Sequence, residues 1–472
     1  MSQIFDPQVW AQEQFGTCQL GDRRRTDRVV IIAAAMAQNS AASTPTQCDG
    51  WSDLKATYRL FDNSNVSFQE LIAPHRQMAR QQCRGTVLVV SDTTEFDFRR
   101  KTIEGTRPTG NGSGRGFFLH SALYVGRADG EVIGIAAQKI FYRQSKPKGE
   151  TSYAILQRAR ESQVWGEVVQ DVGAAPEGVS YIHVCDRGAD NFEFYCQLVQ
   201  GGWGWVVRVA KAHRNVVTVG TDPQRVALDQ FLTKLPVKHV YSLEVPAQDG
   251  QPKRTATLEL RASRVCLPRP AQCSNWVKQH GEPQIEMSAV EVREINAPQG
   301  ATPLHWIVLS SEPCNTSSQA LQIVRDYEKR WVIEDFHKGL KTGCQMESRQ
   351  YMKASRLERV LGIVAVVAIR LLKLRAAARQ QPDEPASRHI PQPYLVSLCA
   401  IMNKNSSSRQ AKRAAATPQT LTNREFYRRL AQLGGFIGRK SDGEPGWQTL
   451  WRGFEKLHNM VCGYQNLAKG CG

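Results

Sequence analysis

Three kinds of hydrophobic pattern follow one another along the chain. Residues 1 to about 75 read as helical. Leu20-Gly-Asp22 opens a predicted helix through Arg23, Arg24, Arg25, Arg28, Val29, Val30 and Ile31, with Asp22 as its N-cap. A later helical stretch carries Lys55, Tyr58 and Arg59. The period then changes. Thr86-Val-Leu-Val-Val90 is an unbroken apolar run, the mark of a strand covered on both faces. Residues 117–125, 132–141, 181–185 and 203–209 read as further strands, and 150–170 and 191–199 as helices. The Gly-rich stretch 110–116 lacks the Gly-Lys-Ser/Thr ending of a phosphate-binding loop and fits a hairpin turn.

That succession suits an α/β fold, a mixed sheet with helices packed on it. Residues 214–312 then break into short strands at 216–219, 240–245, 255–260, 285–292 and 304–309, separated by Pro, Gly and Gln, as in an inserted β-rich subdomain. A helix at 327–341 and a long apolar helix at 357–374 come next. Pro382, Pro385, Pro391 and Pro393 mark 376–393 as a linker, and 404–420 is polar and basic. From Leu421 the pattern is helical again, with Trp447, Trp451 and Phe454 spaced as one helix face, either core or a partner surface, with core the better fit. The expected organisation is a helical domain over 1–75, an α/β domain over 76–375 with its β-rich insertion at 213–312, and a helical domain over 376–472.

Charge narrows the partner. Lys and Arg number 61 against 44 Asp and Glu, a net charge of +17. An excess this large points to a polyanion. Arg24 and Arg28 stack at i,i+4 with Arg25 beside them, an arrangement that destabilises a helix unless a polyanion neutralises it. Nucleic acid fits better than a membrane. The longest apolar run, 361–369, stops at Arg370 and is too short to span a bilayer. The first residues show no basic segment leading into an apolar one, so a cytoplasmic protein is expected. None of the twelve cysteines forms a CxxC pair, which argues against zinc and for reduced thiols.

One helix carries candidate chemistry. Wound at ~100° per residue, it brings Tyr327, Arg330, Glu334 and Lys341 within an arc of roughly 60°. Val332, Phe336 and Leu340 group opposite, as a core face. Alone, this is a solvated face with an Arg330–Glu334 pair worth a few tenths of a kcal/mol. Two acids elsewhere change the weighting. Asp92 and Asp186 each end a buried apolar strand, where a carboxylate is costly unless paired or bound to a cation. On neighbouring strands they would converge, and Glu334 would be the third. Three carboxylates with open positions suit Mg²⁺ or Mn²⁺. A pair of such ions about 4 Å apart serves phosphoryl transfer. Asp190 is expected to pair with Arg187, and Glu95 and Asp97 alternate to the face opposite Asp92.

At this point the chain resembles the bacterial DDE transposases of the insertion-sequence-four family, the transposon-five type above all. The resemblance rests on Leu20-Gly-Asp-Arg-Arg-Arg-Thr26, Tyr58-Arg59 with Asn65-Val-Ser67, Asp92-Thr-Thr94, Arg115-Gly116 with His120-Ser121, and Val184-Cys-Asp-Arg187 with Ala189-Asp190. It continues through Val206-Val-Arg208, Glu294-Ile-Asn296, Thr302-Pro-Leu304 with Trp306, Glu312-Pro313, and Leu433-Gly-Gly-Phe436. The family signature Tyr-x2-Arg-x3-Glu-x6-Lys is met by Tyr327, Arg330, Glu334 and Lys341.

The resemblance implies an RNase H-like core in which Asp92, Asp186 and Glu334 bind two Mg²⁺ ions, with Mn²⁺ able to substitute. It implies cut-and-paste transposition through a hairpin intermediate, with transposon-end and target DNA as partners and a homodimer joined by the C-terminal helices. Trp306 would stack on an extruded base, and Tyr327, Arg330 and Lys341 would hold the neighbouring phosphate. Arg24, Arg25, Arg28 and Arg59 would bind the transposon end; Arg208, Lys211, His337 and Lys338 would line the DNA channel. Gly188 stands where the relative is acidic, and Gln38-Asn39 replace a basic-aromatic pair; these departures bear on the end sequence, not the chemistry. Two alternatives share the fold: a general RNase H-like nuclease and a structural DNA-binding protein that no longer cuts.

Overall fold

The computed structural model describes residues 5–470, apart from 99–101, 145, 146, 148, 158, 159, 246–252, 380, 405–416, 440 and 441. Most of the basic stretch expected at 404–420 thus lies outside the described residues. The chain forms two compact units. One comprises Met1–Met78, Phe96–Gly116 and Asp335–Gly472; the other comprises Ala79–Glu95 and Phe117–Glu334.

The strands are β1 (Gly85–Asp97), β2 (Arg107–Thr109), β3 (Gly114–Gly126), β4 (Val132–Phe141), β5 (Val179–Cys185) and β6 (Gly204–Arg208). They continue with β7 (Asn215–Thr218), β8 (Arg225–Ala227), β9 (His239–Val245), β10 (Arg254–Pro268), β11 (Gln284–Ile295) and β12 (His305–Ser310). In the second unit β3 lies between β4 and β1, and β1 is followed by β5 and β6. β3 and β4 are antiparallel, whereas β1, β5 and β6 are parallel. This β4-β3-β1-β5-β6 order, with its switch from antiparallel to parallel, is that of an RNase H-like sheet.

The insertion is not a separate layer. β12 pairs antiparallel with β6, and β11 and β10 extend the same sheet, with β9 and β7 both on β10. Val87, Val89, Tyr181, Cys185, Trp205 and Val207 alternate to one face, where the helices Val164–Val172 and Phe192–Gln200 cover them. The predicted helix over 150–170 is accordingly broken: Ser152–Gln157 and Val164–Val172 are separate. The other face receives the helix Ser317–Glu328, which packs on β5, β6, β10, β11 and β12.

The first unit is mainly helical. Asp22 caps the helix Arg23–Gln38 by accepting from the Arg24 amide. The long apolar helix runs over Ala354–Arg379. It extends past the expected linker start, and Gln392–Lys404 is helical too, so the proline-rich connection is shorter than its composition suggests. Arg370, which follows the 361–369 apolar run, is fully buried. Its guanidinium lies 5.3–5.4 Å from the ring centres of Trp10, Trp451 and Phe454, and donates to the Ala37 carbonyl at 2.6 Å. A cation thus sits inside the cluster to which Trp451 and Phe454 contribute. The Gly-rich stretch does form a hairpin turn, closed by Thr109 opposite Gly114. At Gly116 a Cβ would fall 1.8 Å from the Phe96 carbonyl oxygen, so only glycine fits there.

Candidate active site

The register of β1 on β5 places Ser91 opposite Cys185, so Asp92 and Asp186 stand side by side; Asp186 follows the end of β5 as expected, but β1 runs on to Asp97 and Asp92 lies within it, not at its end. Alternation turns Asp92 away from the Val87 and Val89 face, toward the side that holds the Ser317–Glu328 helix. Each carboxylate is held by a local amide. The Thr93 N–H donates to Asp92 Oδ1 and the Gly188 N–H to Asp186 Oδ1, both at 2.7 Å.

Glu334 arrives from the segment after that helix, which is not the single helix its periodicity predicts. The α-helix ends at Glu328, Lys329–Trp331 form a 3₁₀ turn, Val332–Lys338 resume the α-helix and Gly339–Gly343 form a π turn. The change of pitch undoes the even stripe drawn at 100° per residue. Tyr327 and Arg330 are buried, not solvated; Val332, Phe336 and Leu340 form a core face as expected. The Arg330–Glu334 pair forms at 2.7 Å, and the same guanidinium reaches Asp92 Oδ2 at 3.1 Å.

Arg330 therefore bridges two of the three acids. Burial is the main force raising the Asp92 carboxyl to about 7, and the charge of Asp186 adds to it. Glu334 pushes the same way, while the Thr93 amide and Arg330 pull it back. The site is short of positive charge. Among the described residues no three carboxylate, imidazole or thiol groups stand close enough to hold a metal ion as they are. The donor set still fits a hard divalent cation: all three groups offer oxygen, and their mutual repulsion is what such an ion relieves.

Two aromatic residues, Tyr327 and Trp331, lie beside Arg330. Burial pushes the Tyr327 phenol upward, and Arg330 and Arg208 oppose the shift. Arg330 also lies 5.3 Å from the ring centre of Trp331, whose side chain is 62% exposed. Nothing in the hydrophobic pattern marks Trp331; its place beside the signature arginine is the one local signal for it. Trp306 is half-buried on β12, opposite Val292, with its indole N–H buried and unpartnered among the described residues.

Two acids with buried carboxylates, Asp326 beside Tyr327 and Asp190 just past Asp186, take partners distant in sequence. Asp326, adjacent to Tyr327, accepts from Arg127 at 2.7–3.1 Å and from Gln322 at 2.9 Å. Asp190 does not pair with Arg187. It accepts from Tyr195 at 2.8 Å, from the Ala210 amide at 2.6 Å and from Arg214, tying the segment after β6 to the turn after β5. Arg208 is half-buried at the end of β6 and Lys211 is exposed.

In the first unit, Lys338 is exposed, His337 is half-buried and Lys341 lies 3.8 Å from Glu347. Arg24 is exposed and tied to Asp22 at 2.8 Å. Arg25 donates to the Leu20 carbonyl at 2.7 Å, Arg28 pairs with Asp53, and Arg59 is exposed.

Three protein families match along the chain in order. A transposase DNA-binding family covers residues 7–66, a transposase DDE domain covers 157–370, and the transposase Tn5 dimerisation domain covers 366–469. The chain is a DDE transposase of the Tn5 type. The DDE match includes Asp186 and Glu334; Asp92 lies upstream of it and is tied to them by the β1–β5 register. The family in general uses divalent metal ions, and the matched domains give the transposase DNA-binding and dimerising parts. A solved structure, a piggyBac transposase synaptic complex with hairpin DNA, is similar over 78% of this chain and 74% of that chain, at 11% identity and a TM-score of 0.36. No helix among the described residues is long and apolar enough to cross a membrane.

Proposed function

We propose that the transposase moves DNA by a cut-and-paste route in which Asp92, Asp186 and Glu334 are the catalytic carboxylates and the holders of two Mg²⁺ ions. Bound there, the ions would supply Lewis-acid stabilisation of the attacking and leaving oxygens. The supporting observation is that one guanidinium bridges Asp92 and Glu334, while Asp92 is raised to about 7 by burial and by the charge of Asp186. Water first opens one strand at each transposon end. The freed 3′-OH attacks the opposite strand to make a hairpin, a second water reopens it, and the 3′-OH then attacks target DNA. Each step is an in-line displacement at phosphorus, so one site serves all four.

The chain's own residues bind and orient. Arg330 bridges Asp92 and Glu334, the acids that would hold the ions, and its planar guanidinium fork is suited to bind a phosphate of the DNA beside them. Tyr327 and Lys341 hold the same region of backbone. Trp306 stacks on the base extruded at the hairpin tip, a contact of about 1–3 kcal/mol per base. Arg24, Arg25, Arg28 and Arg59 bind the transposon end; Arg208, Lys211, His337 and Lys338 contact phosphates along the DNA path. Two copies joined through the C-terminal helices bring two ends together.

The test uses DNA carrying the inverted repeats that flank the coding sequence, with Mg²⁺. Asp92→Ala, Asp186→Ala and Glu334→Ala should each abolish end cleavage and retain end binding in a gel-shift assay. Cleavage by any of the three would refute the assignment. Cutting without regard to end sequence and with no hairpin would instead identify a general nuclease. Binding of ends and Mg²⁺ with no nick by the wild-type protein would identify a non-cleaving DNA-binding protein.

A further inference from the structure

We propose that His120 and Trp165 are positioning residues that set the separation of Asp92 and Asp186 from the far side of the sheet. The inference rests on the reading of those aspartates as metal holders. Thr93, one residue past Asp92, alternates to the face covered by the Val164–Val172 helix. There its hydroxyl and His120 Nδ1 are hydrogen-bonded at 2.7 Å. His120 is fully buried on β3, and its ring meets the Trp165 indole edge-on, with centroids 4.4 Å apart and planes at 74°. Trp165, 5% exposed, closes the path on the other side. A Cβ built on Gly188 would lie 3.1 Å from Trp165 Cζ2 and 3.1 Å from Asp186 Oδ1. The indole is thus the wall against which the Gly188 turn rests, and the Gly188 amide holds Asp186.

An unbroken chain of contacts follows: Asp92, Thr93, His120, Trp165, Gly188, Asp186. The links are peptide bonds, short hydrogen bonds, the edge-on ring contact and the close approach of the indole to the Gly188 turn, where a Cβ would have little room. Neither His120 nor Trp165 approaches the reacting atoms. What they fix are the two backbone amides, of Thr93 and Gly188, that orient one oxygen of each carboxylate. Residues that orient metal ligands in this way typically change metal affinity or activity about 10–100-fold when lost. Such an effect is expected although both side chains lie on the opposite face of the sheet. The geometry also gives Gly188 a reason: a side chain there would press both on the indole and on the carboxylate it must leave in place.

Mn²⁺ binding to the full-length protein without DNA, followed by electron paramagnetic resonance, separates this role from a purely structural one. His120→Ala and Thr93→Val are each expected to weaken Mn²⁺ binding by about 10-fold or more, with end binding in a gel shift unchanged. The double variant should be no worse than either single one, because both cut the same link. His120→Asn, whose side-chain amide can take the Nδ1 position, should recover most of the affinity. Unchanged Mn²⁺ binding in both single variants, or additive losses in the double, would overturn the proposal. The Asp92→Ala control keeps the two readings apart. If it leaves Mn²⁺ binding intact, the metal assignment fails; if it abolishes binding while the His120 and Thr93 variants do not, only the positioning role fails. Should His120→Ala not fold, Thr93→Val and Trp165→Phe carry the same comparison.

Discussion

The pair Arg127–Asp326 offers a strong test, because its two halves should not cost the same. Asp326 is 0% exposed and sits next to Tyr327; Arg127 remains 24% exposed. Removing Arg127 leaves a carboxylate in the interior with only the Gln322 amide at 2.9 Å. Breaking a buried pair in that way costs about 3–5 kcal/mol. Removing Asp326 leaves a guanidinium that water can reach and that already lies 4.0 Å from Glu312. Its loss should be smaller, about 1–3 kcal/mol, since hydration and a second acid partly replace the partner. In a unit of roughly 150–250 residues each kcal/mol shifts the melting temperature by about 2–4 °C. Arg127→Ala should therefore lower the melting transition of the sheet-bearing unit by roughly 6–20 °C, and Asp326→Ala by roughly 2–12 °C. Differential scanning calorimetry with hydrogen exchange on the Ser317–Glu328 helix assigns the transition to its unit. Replacing both, Arg127→Met with Asp326→Leu, should be milder than Arg127→Ala alone, because no buried charge is then stranded. Equal losses, or a larger one for Asp326→Ala, would refute the reasoning.

Arg330→Ala removes the cation shared by Asp92 and Glu334. It should lower the melting temperature in chelator and recover much of that loss in Mg²⁺, with no such recovery for the wild type; equal behaviour in both buffers would contradict the bridging role. Trp306→Ala should impair hairpin formation, seen on denaturing gels, with the first nick largely kept, and equal loss of both steps would argue against base stacking. His75 is buried, bonded to Gln14 at 2.6 Å, and held neutral down to about 3, first by burial and then by Lys373. Its folded value lies below the ordinary 6.5, so the unfolded chain binds a proton that the fold excludes. Stability should fall as pH drops below about 6.5, by up to about 1.4 kcal/mol per pH unit from this group. Between pH 7.5 and 5, His75→Gln should lose about 2 kcal/mol less than the wild type in urea titrations, and parallel pH profiles would exclude the effect.

The strands were legible because buried β-structure leaves a local mark. Val132–Phe141 appears where alternation and apolar runs predict it, and β5 ends at Cys185 with Asp186 directly after it, as expected. Each such strand needs only its own residues to be recognised. The partners of Asp326 and Asp190 were not legible for the opposite reason. Arg127 is 199 residues from Asp326, and Arg214 is 24 from Asp190, so no spacing rule connects them. Arg187 was the nearer cation to Asp190, but it is exposed. A buried carboxylate takes the cation that the fold brings in, not the one next in sequence. The insertion was legible as β-structure but not as part of the same sheet, since the β6–β12 pairing leaves no trace in either strand alone.

The Tyr327–Lys341 stripe shows the limit most clearly. A regular helix would present all four signature residues on one wetted side. The 3₁₀ turn at Lys329–Trp331 instead turns Arg330 inward, where it meets Asp92 as well as its i,i+4 partner Glu334. Local pattern could suggest the Arg330–Glu334 pair, but Asp92 lies 238 residues away from Arg330 and enters only through the sheet. The change of helical pitch is therefore part of the site. It converts a pair worth a few tenths of a kcal/mol on an open helix into the counter-charge of a half-buried carboxylate cluster. Arg330 is thus the positive charge that Asp92 and Glu334 share, brought to Asp92 by the sheet and to Glu334 by the helix.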